Sequence, residues 1–266
     1  MYEANIHYPL LSIITVVYNG RDEIENTIKS VINQTYPNIE YLIIDGNSTD
    51  GTLDIIKKYK KHLSFWVSEN DNGIYDAMNK GIVNATGKWM NFMNCGDYFI
   101  NENVCSRLYA NDIDKDIIFI YGNHEIRLDN NSSKVYPKPL DQFWKGMPFC
   151  HQSLFVKADW MKDNLYNLKY TYASDFHHFY NAYNAGLNFL YKPITISNFA
   201  HDGISQTKFY WIEVWQISTN NYQSKFLIRN AYFVFFLAKI LFKYFLKKIF
   251  TREIYAKIKR IKKGFF

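Results

Sequence analysis

Cysteine is scarce in this chain: three in 266 residues, Cys95, Cys105 and Cys150, with no CxxC pair and no spacing that suggests zinc. That excludes a disulfide scaffold and fits a reducing compartment. The glycine-rich phosphate cradles are missing as well. Neither G-x-G-x-x-G nor G-x-x-x-x-G-K-[ST] occurs among the twelve glycines, which argues against a dinucleotide oxidoreductase or a P-loop enzyme. Long uncharged runs are lacking too. The N-terminal apolar run covers residues 9–18, and the longest uncharged run in the C-terminal segment covers 230–238; both are too short to span a bilayer. The opening MYEANIHYPL has no basic start and no small-residue cleavage site, so a cytoplasmic protein is expected. Acid is nearly absent from the C-terminus: from Lys225 onward there are twelve Lys/Arg and one acid, Glu253. The net charge of +6 therefore averages a mildly acidic body and a strongly basic tail. Such asymmetry points to an anionic surface as partner, membrane or nucleic acid.

What is present is alternation. LLSIITVVY (10–18), EYLIIDG (40–46), SFWVSE (64–69) and KWMNFMN (88–94) read as strands. Helical patterns fall between them at 21–36, 49–62 and 75–85; the first places Ile24, Ile28, Val31 and Ile32 on one face. Strand–helix alternation at this spacing implies right-handed crossovers and a mainly parallel sheet flanked by helices. Further strands are predicted at 116–123, 149–157 and 188–196, a hairpin or exposed loop at 126–139, and a helix at 174–186 closed by Gly186. The simplest division is one α/β domain over 1–222 and a basic helical tail over 223–266.

In such sheets ligands bind outside the carboxyl ends of the strands. The polar clusters VYNG, IDGNSTDG, SENDNG and NCGD fall there, and they carry Asp45, Asp71 and Asp97 at successive strand ends. Carboxylates so placed can accept hydrogen bonds from a base or ribose, or hold a hard cation that bridges a diphosphate. Capping of turns and helices is the plainer role for Asp45 and Asp50.

The stretches LLSIITVVYNGRDEIENTIKSVINQTYPNIEYLIIDGNSTDGT and SENDNGIYDAMNKGIVNATGKWMNFMNCGDYF resemble the inverting nucleotide-sugar glycosyltransferases of family 2, which have the GT-A fold, particularly those that build bacterial O-antigens and capsules. The resemblance is specific over residues 9–100 and continues more weakly to about 206. It implies that Tyr18 and Asn19 frame the nucleobase, that Asp45 with Ser48 binds base or ribose, and that Asp71 lies in the segment closing over the nucleoside. Asp97 matches the last acid of a metal motif that here reads Cys95-Gly96-Asp97, so one acid remains to hold Mn2+ or Mg2+ beside the donor diphosphate. Gly96 lets the backbone approach the donor closely. His201, in NFAHDGIS, falls where many GT-A enzymes place a metal-binding histidine; an ordinary polar residue is the plainer reading.

An inverting transfer needs a base that deprotonates the acceptor hydroxyl. Asp175 in YASDFHHF matches the family's acid at the start of a helix, where the ionised form is favoured; Asp159 and Asp202 are alternatives. His151-Gln152 resembles an HQ pair near the acceptor pocket. His177 and His178 are adjacent, so they face different ways on a helix and make no simple metal pair.

The tail 231–266 is aromatic-rich, and Lys239, Lys243 and Lys247 form a cationic stripe at helical spacing. A wide apolar face with such a stripe fits a helix lying in the membrane interface, which suits an acceptor carried on polyprenyl diphosphate at the inner face of the plasma membrane. Packing on the body or in a homodimer is the alternative. Nucleic acid is not expected, because the body is acidic and no binding module is present. Two other functions remain open: a nucleotidyltransferase, for which YNGRDEIEN is a poor phosphate loop, and a sugar-nucleotide-binding scaffold subunit without turnover.

Overall fold

The computed structural model describes residues 8–128, 131–200, 207–220 and 226–249. Its first half alternates as expected. Strand β1 (Leu11–Val17) is followed by α1 (Ile24–Ile32), β2 (Ile39–Asp45), α2 (Thr52–Lys58), β3 (Phe65–Ser68), α3 (Ile74–Asn84) and β4 (Trp89–Phe92). All seven β1 residues are buried. A parallel strand covered on both faces needs such a continuous β-branched run rather than an alternating one. The strand pairs in parallel with β2 from Leu11↔Ile39 to Val17↔Asp45, and with β4 on its other side. Helix α1 seals one face with Ile24, Thr27, Ile28 and Val31.

The second half inverts the pattern. After β5 (Tyr98–Phe99) and α4 (Val104–Leu108) come β6 (Ile117–Leu128) and β7 (Asn131–Val135), then β8 (Leu154–Lys157), α5 (Ala158–Asp163), α6 (Ser174–Asn184) and β9 (Asn188–Ala200). The strands form one nine-stranded sheet in the order β3-β2-β1-β4-β8-β6-β9-β5, with β7 against β6. β8 runs antiparallel to β4 and to β6, whereas β9 is parallel to β6. The sheet is thus parallel through β3-β2-β1-β4 and mixed beyond. Within the expected hairpin or loop 126–139, β6 and β7 pair antiparallel from His124↔Val135 to Leu128↔Asn131. Of the expected strand 149–157 only 154–157 is extended; His151–Ser153 is a 3-10 turn. Buried Asn91 of β4 explains it, because its Nδ2 donates to the carbonyls of Gln152 (3.0 Å) and Leu154 (2.9 Å) and curls the chain. Helix α6 ends as expected, with Gly186 at φ +79° and its N–H on the Tyr183 carbonyl.

The chain divides into two compact units, residues 1–203 and 204–266. Helix α7 (Lys208–Asn220), which the sequence reading assigned to the first domain, falls in the second unit with α8 (Phe226–Ile249). The two helices form an antiparallel hairpin: Trp215 Nε1 donates to Asn230 Oδ1 (2.9 Å), Arg229 to the Ser218 carbonyl (2.8 Å), and the Trp211 and Phe236 rings meet at 4.6 Å. Elsewhere on α8, Leu227, Ile228, Val234, Phe235 and Phe242 are exposed. No helix among the described residues is long and apolar enough to cross a membrane.

Candidate active site

The loops at the carboxyl ends of β1, β2, β3 and β4 meet one another. Asp45, the last residue of β2, is fully buried. Its carboxylate accepts from Ser48 N (3.0 Å), Ser48 Oγ (2.5 Å) and Ser68 Oγ (2.6 Å). Ser48 Oγ in turn accepts from Asn19 N (2.7 Å), and Asn19 Oδ1 accepts from Thr49 N (2.9 Å). Asp45 therefore organises the loop around Asn19, which sits at φ +49°, and with three contacts it keeps room for about one more donor. Tyr18, 67% exposed, is the side chain this loop offers outward. Asp50 ties the same loop by accepting from Arg21 N (3.0 Å) and from Thr52.

Asp71 reaches this cluster from the next strand. Its Oδ1 accepts from Gly73 N (2.9 Å), and its Oδ2 occupies space that a Cβ on Gly46 would invade, 2.6 Å away, beside the Tyr18 ring. The glycine after Asp45 is what lets Asp71 approach. Gly96 plays the same part for Glu23. It holds φ +91°, and a Cβ there would stand 2.6 Å from Glu23 Oε2. Thr27 of α1 staples the turn, accepting from Gly96 N (3.1 Å) and donating to the Asp97 carbonyl (2.8 Å). Cys95 Sγ lies against the Gly20 carbonyl. Burial, then the charges of Glu23, Asp97 and Asp50, push its thiol up to about 12. It is thus an inert thiol in a strongly negative setting.

Asp97, 8% exposed, accepts from Gln152 Nε2 at 2.6 Å. Gln152, expected to face the acceptor, is thereby joined to Asp97, and Cys150 Sγ donates to its Oε1 at 2.8 Å. His151 points elsewhere. Its ring stacks on Phe92 (5.3 Å) and its Nε2 bonds Tyr166 Oη at 2.9 Å. Desolvation lowers the His151 pKa, and the nearby Asp175 charge pulls it partly back, so the imidazole is neutral near pH 7.

Asp175 sits in the first turn of α6. Its Oδ1 accepts from Tyr75 Oη (2.9 Å) and Phe176 N (2.8 Å); its Oδ2 makes no hydrogen bond among the described residues. Tyr75 belongs to α3, so the helix that follows Asp71 also aims Asp175. Asp159 is exposed on α5. His178 is buried between Trp160 and Tyr166, its pKa pushed down to about 3 by burial first and by His177 and His151 second, and His177 bonds Asn181. They form no metal pair. His201 and Asp202 lie outside the described residues.

Among the described residues no group of three His, Cys, Asp or Glu side chains is placed to hold a metal ion alone. Asp97 and Glu23 flank Gly96 with carboxylate oxygens. That donor set fits a hard cation completed by phosphate oxygens and water rather than a closed protein cage.

The sequence reading did not single out Tyr75, Tyr166, Asn91, Glu23 or Arg127. Tyr75 and Tyr166 carry no local signal, because their partners are distant in the chain; Glu23 and Arg127 read as ordinary surface charges.

The sheet and its loop cluster define the GT-A fold. Residues 12–189 match the profile of Glycosyl transferase family 2, and the chain belongs to that family. It is 34% identical over 131 residues to the Escherichia coli UDP-Glc:alpha-D-GlcNAc-diphosphoundecaprenol beta-1,3-glucosyltransferase WfaP, covering 49% of this chain and 52% of WfaP. It is 40% identical over 92 residues to the Bacillus subtilis putative teichuronic acid biosynthesis glycosyltransferase TuaG, covering 34% and 36%. The chain thus spans about half or less of the length of these relatives. Similar solved structures include S. aureus TarS 1-349 in complex with UDP-GlcNAc (TM-score 0.61, 18% identity, 83% of this chain and 69% of that one). Another is the Pyrobaculum calidifontis mannosyltransferase PcManGT in complex with GDP-Man and Mn2+ (TM-score 0.64, 14% identity, 97% and 81%). At these identities the likeness is one of fold.

Proposed function

We propose that the protein is an inverting glycosyltransferase that moves a sugar from a nucleotide donor, UDP by default, to a polyprenyl-diphosphate-linked acceptor in bacterial surface polysaccharide synthesis. One observation carries the chemistry: Asp175 is fixed through Oδ1 by Tyr75 and the Phe176 N–H, while Oδ2 has no hydrogen-bond partner among the described residues. A carboxylate clamped on one oxygen and open on the other is arranged to take a proton. In this reading Tyr18, Asn19, Ser48 and Asp71 hold the nucleoside, His151 with Tyr166 borders the acceptor, and Asp97 faces the diphosphate. The fixed Asp175 and its open oxygen favour turnover over a scaffold role. WfaP, by its name, acts on a diphosphoundecaprenol-linked sugar, which supports the acceptor class.

A divalent cation, Mn2+ or Mg2+, would neutralise charge on the leaving diphosphate, with Asp97 as its protein anchor and Glu23 close by. Asp97→Ala is expected to make nucleoside diphosphate binding insensitive to Mn2+, which calorimetry with and without chelator reads; a preserved Mn2+ response would remove Asp97 as the anchor. The reading as a whole is tested with pure protein. Thermal shift against UDP-, GDP- and dTDP-sugars should show one donor that raises Tm, followed by transfer to a polyprenyl-diphosphate sugar. Absence of any stabilising donor would sink it.

The exposed apolar residues of α8, together with Lys239, Lys243 and Lys247 spaced along that helix, support a peripheral station at the inner membrane face, each cation contributing about 1 kcal/mol near anionic lipid. Phe235→Asp with Phe242→Asp is expected to abolish flotation with vesicles containing anionic lipid, as is deletion of 231–266. Retained flotation, or a switch from dimer to monomer in light scattering without any vesicle binding by the parent, would assign the face to another copy of the chain instead.

A further inference from the structure

Arg127 stands next to the last residue of β6, far in sequence from the loops of the cleft, yet its Nη2 donates to the Gly96 carbonyl at 3.1 Å. Its guanidinium also lies over the Tyr98 ring, 5.2 Å from the centroid. It is therefore anchored on both sides of Asp97. It is half-buried, and it has no carboxylate partner: the ion pairs of the described residues are Lys29–Glu25, Lys58–Glu25 and Lys80–Glu69. Glu125, two residues earlier on the same strand, accepts from Asn198 at 3.4 Å instead. Among the described residues Arg127 uses one of its five N–H donors on the protein. A half-buried guanidinium, fixed in place with most of its fork unused, is set to receive an anion. The surroundings sharpen the point. Glu23, Asp50 and Asp97 act together on Cys95, so an anionic ligand entering here meets three carboxylates and needs cationic charge fixed by the protein.

We propose that Arg127 is a catalytic residue that binds the donor diphosphate and carries part of the charge of the leaving phosphate. This rests on the reading of the cleft as a nucleotide-sugar site. In the transfer, the acceptor oxygen bonds to the anomeric carbon and gives its proton to Asp175, while the bond from that carbon to the phosphate oxygen breaks and leaves its electron pair on the phosphate. Arg127 keeps all its protons and pairs with the added negative charge. Its planar fork suits two phosphate oxygens at once, and its tether to Gly96 fixes it before the ligand arrives, so little ordering is needed at the moment of reaction.

The test uses the full chain and calorimetry. Wild type is screened with UDP, GDP and dTDP, each with Mn2+, with Mg2+ and with chelator; the diphosphate that binds is then compared with its parent nucleoside. Arg127→Gln retains an N–H for the Gly96 carbonyl and removes the charge. It is expected to weaken the diphosphate tenfold or more, with and without metal, while the nucleoside stays within twofold. Arg127→Lys, which keeps charge without the fork, should fall in between, and it supplies the reading if the glutamine variant does not fold. Transfer should drop more in kcat than in KM for the donor. Equal losses for nucleoside and diphosphate would show that Arg127 merely supports the turn at 94–97, and no loss in either variant would end the proposal outright. A wild type that binds none of the diphosphates would refute the nucleotide-sugar reading itself, a separate result from either of these.

Discussion

Asp175→Asn is expected to lower kcat for transfer by about a thousandfold, within the range that a positioned general base contributes and equal to about 4 kcal/mol of activation free energy. Donor affinity should change no more than a few-fold. The substitution keeps the size and the Oδ1 contacts: Tyr75 Oη at 2.9 Å and Phe176 N at 2.8 Å can still donate to the amide oxygen. What replaces Oδ2 is an NH2 group, a donor where an acceptor is required. The change is isosteric and keeps those contacts at the second residue of α6, so folding should survive and the loss is chemical. Tyr75→Phe supplies the control. It removes the hydroxyl shared by Asp175 and the Tyr172 carbonyl, so the carboxylate stays but its aim is lost, and a smaller drop of roughly tenfold in kcat follows, from misplacement of the reacting groups. Single-turnover transfer with saturating donor separates the two. If Asp175→Asn turns over at a rate near wild type, the base lies elsewhere and the mechanism built on Oδ2 falls.

The contrast between Asp175 and Tyr75 shows where sequence reading stops. Asp175 was legible because it lies at the start of a helix inside a stretch resembling a family motif. Tyr75 is a hundred residues away in the chain, and nothing local marks it as a partner. The strands β1, β2 and β4 were legible for a physical reason: strands buried on both faces are mostly apolar, as β1 and β4 are apart from Ser12, Thr15 and Asn91. β6 was harder. It runs from Ile117 to Leu128, but the expected strand stopped at Asn123; the outer part carries His124, Glu125 and Arg127, whose neighbours come from β9 and β7. The 3-10 turn at His151–Ser153 was invisible for a similar reason: Asn91 imposes it through the fold. Gln152 was read beside the acceptor; its contact with Asp97 depends on that turn and has no signal in the sequence. The sequence showed which acids end the strands; the polar atoms that aim them came from segments with no motif of their own.

Glu40→Ala is expected to be the most destabilising single substitution among the buried polar residues outside the cleft, at about 3–5 kcal/mol, a large share of the 5–15 kcal/mol typical of a whole domain. Glu40 is 8% exposed in β2 and has no cation beside it. Instead its carboxylate collects Ser12 Oγ of β1, Thr86 N, Thr86 Oγ1 at 2.6 Å and Gly87 N at 2.7 Å. Those donors belong to the turn that leads from α3 into β4, so one side chain locks that turn onto two central strands. Removing it takes the shared acceptor from two backbone N–H groups and two hydroxyls; the Ser12 hydroxyl and Gly87 N–H are buried and are left with only each other, which costs desolvation. Glu40→Gln keeps one acceptor oxygen and should cost much less, about 1–2 kcal/mol. Burial alone would raise the Glu40 pKa, but the hydrogen bonds from Ser12, Thr86 and Gly87 outweigh it and leave the carboxyl below its ordinary 4.5. Because the folded pKa is the lower one, this contribution is present above pH 4.5 and is lost as pH falls through the folded value. Urea unfolding followed between pH 7 and pH 3 should therefore show the gap between wild type and Glu40→Gln narrowing on the acid side. A gap that stays constant over that span would mean that the ionised carboxylate is not what holds the turn.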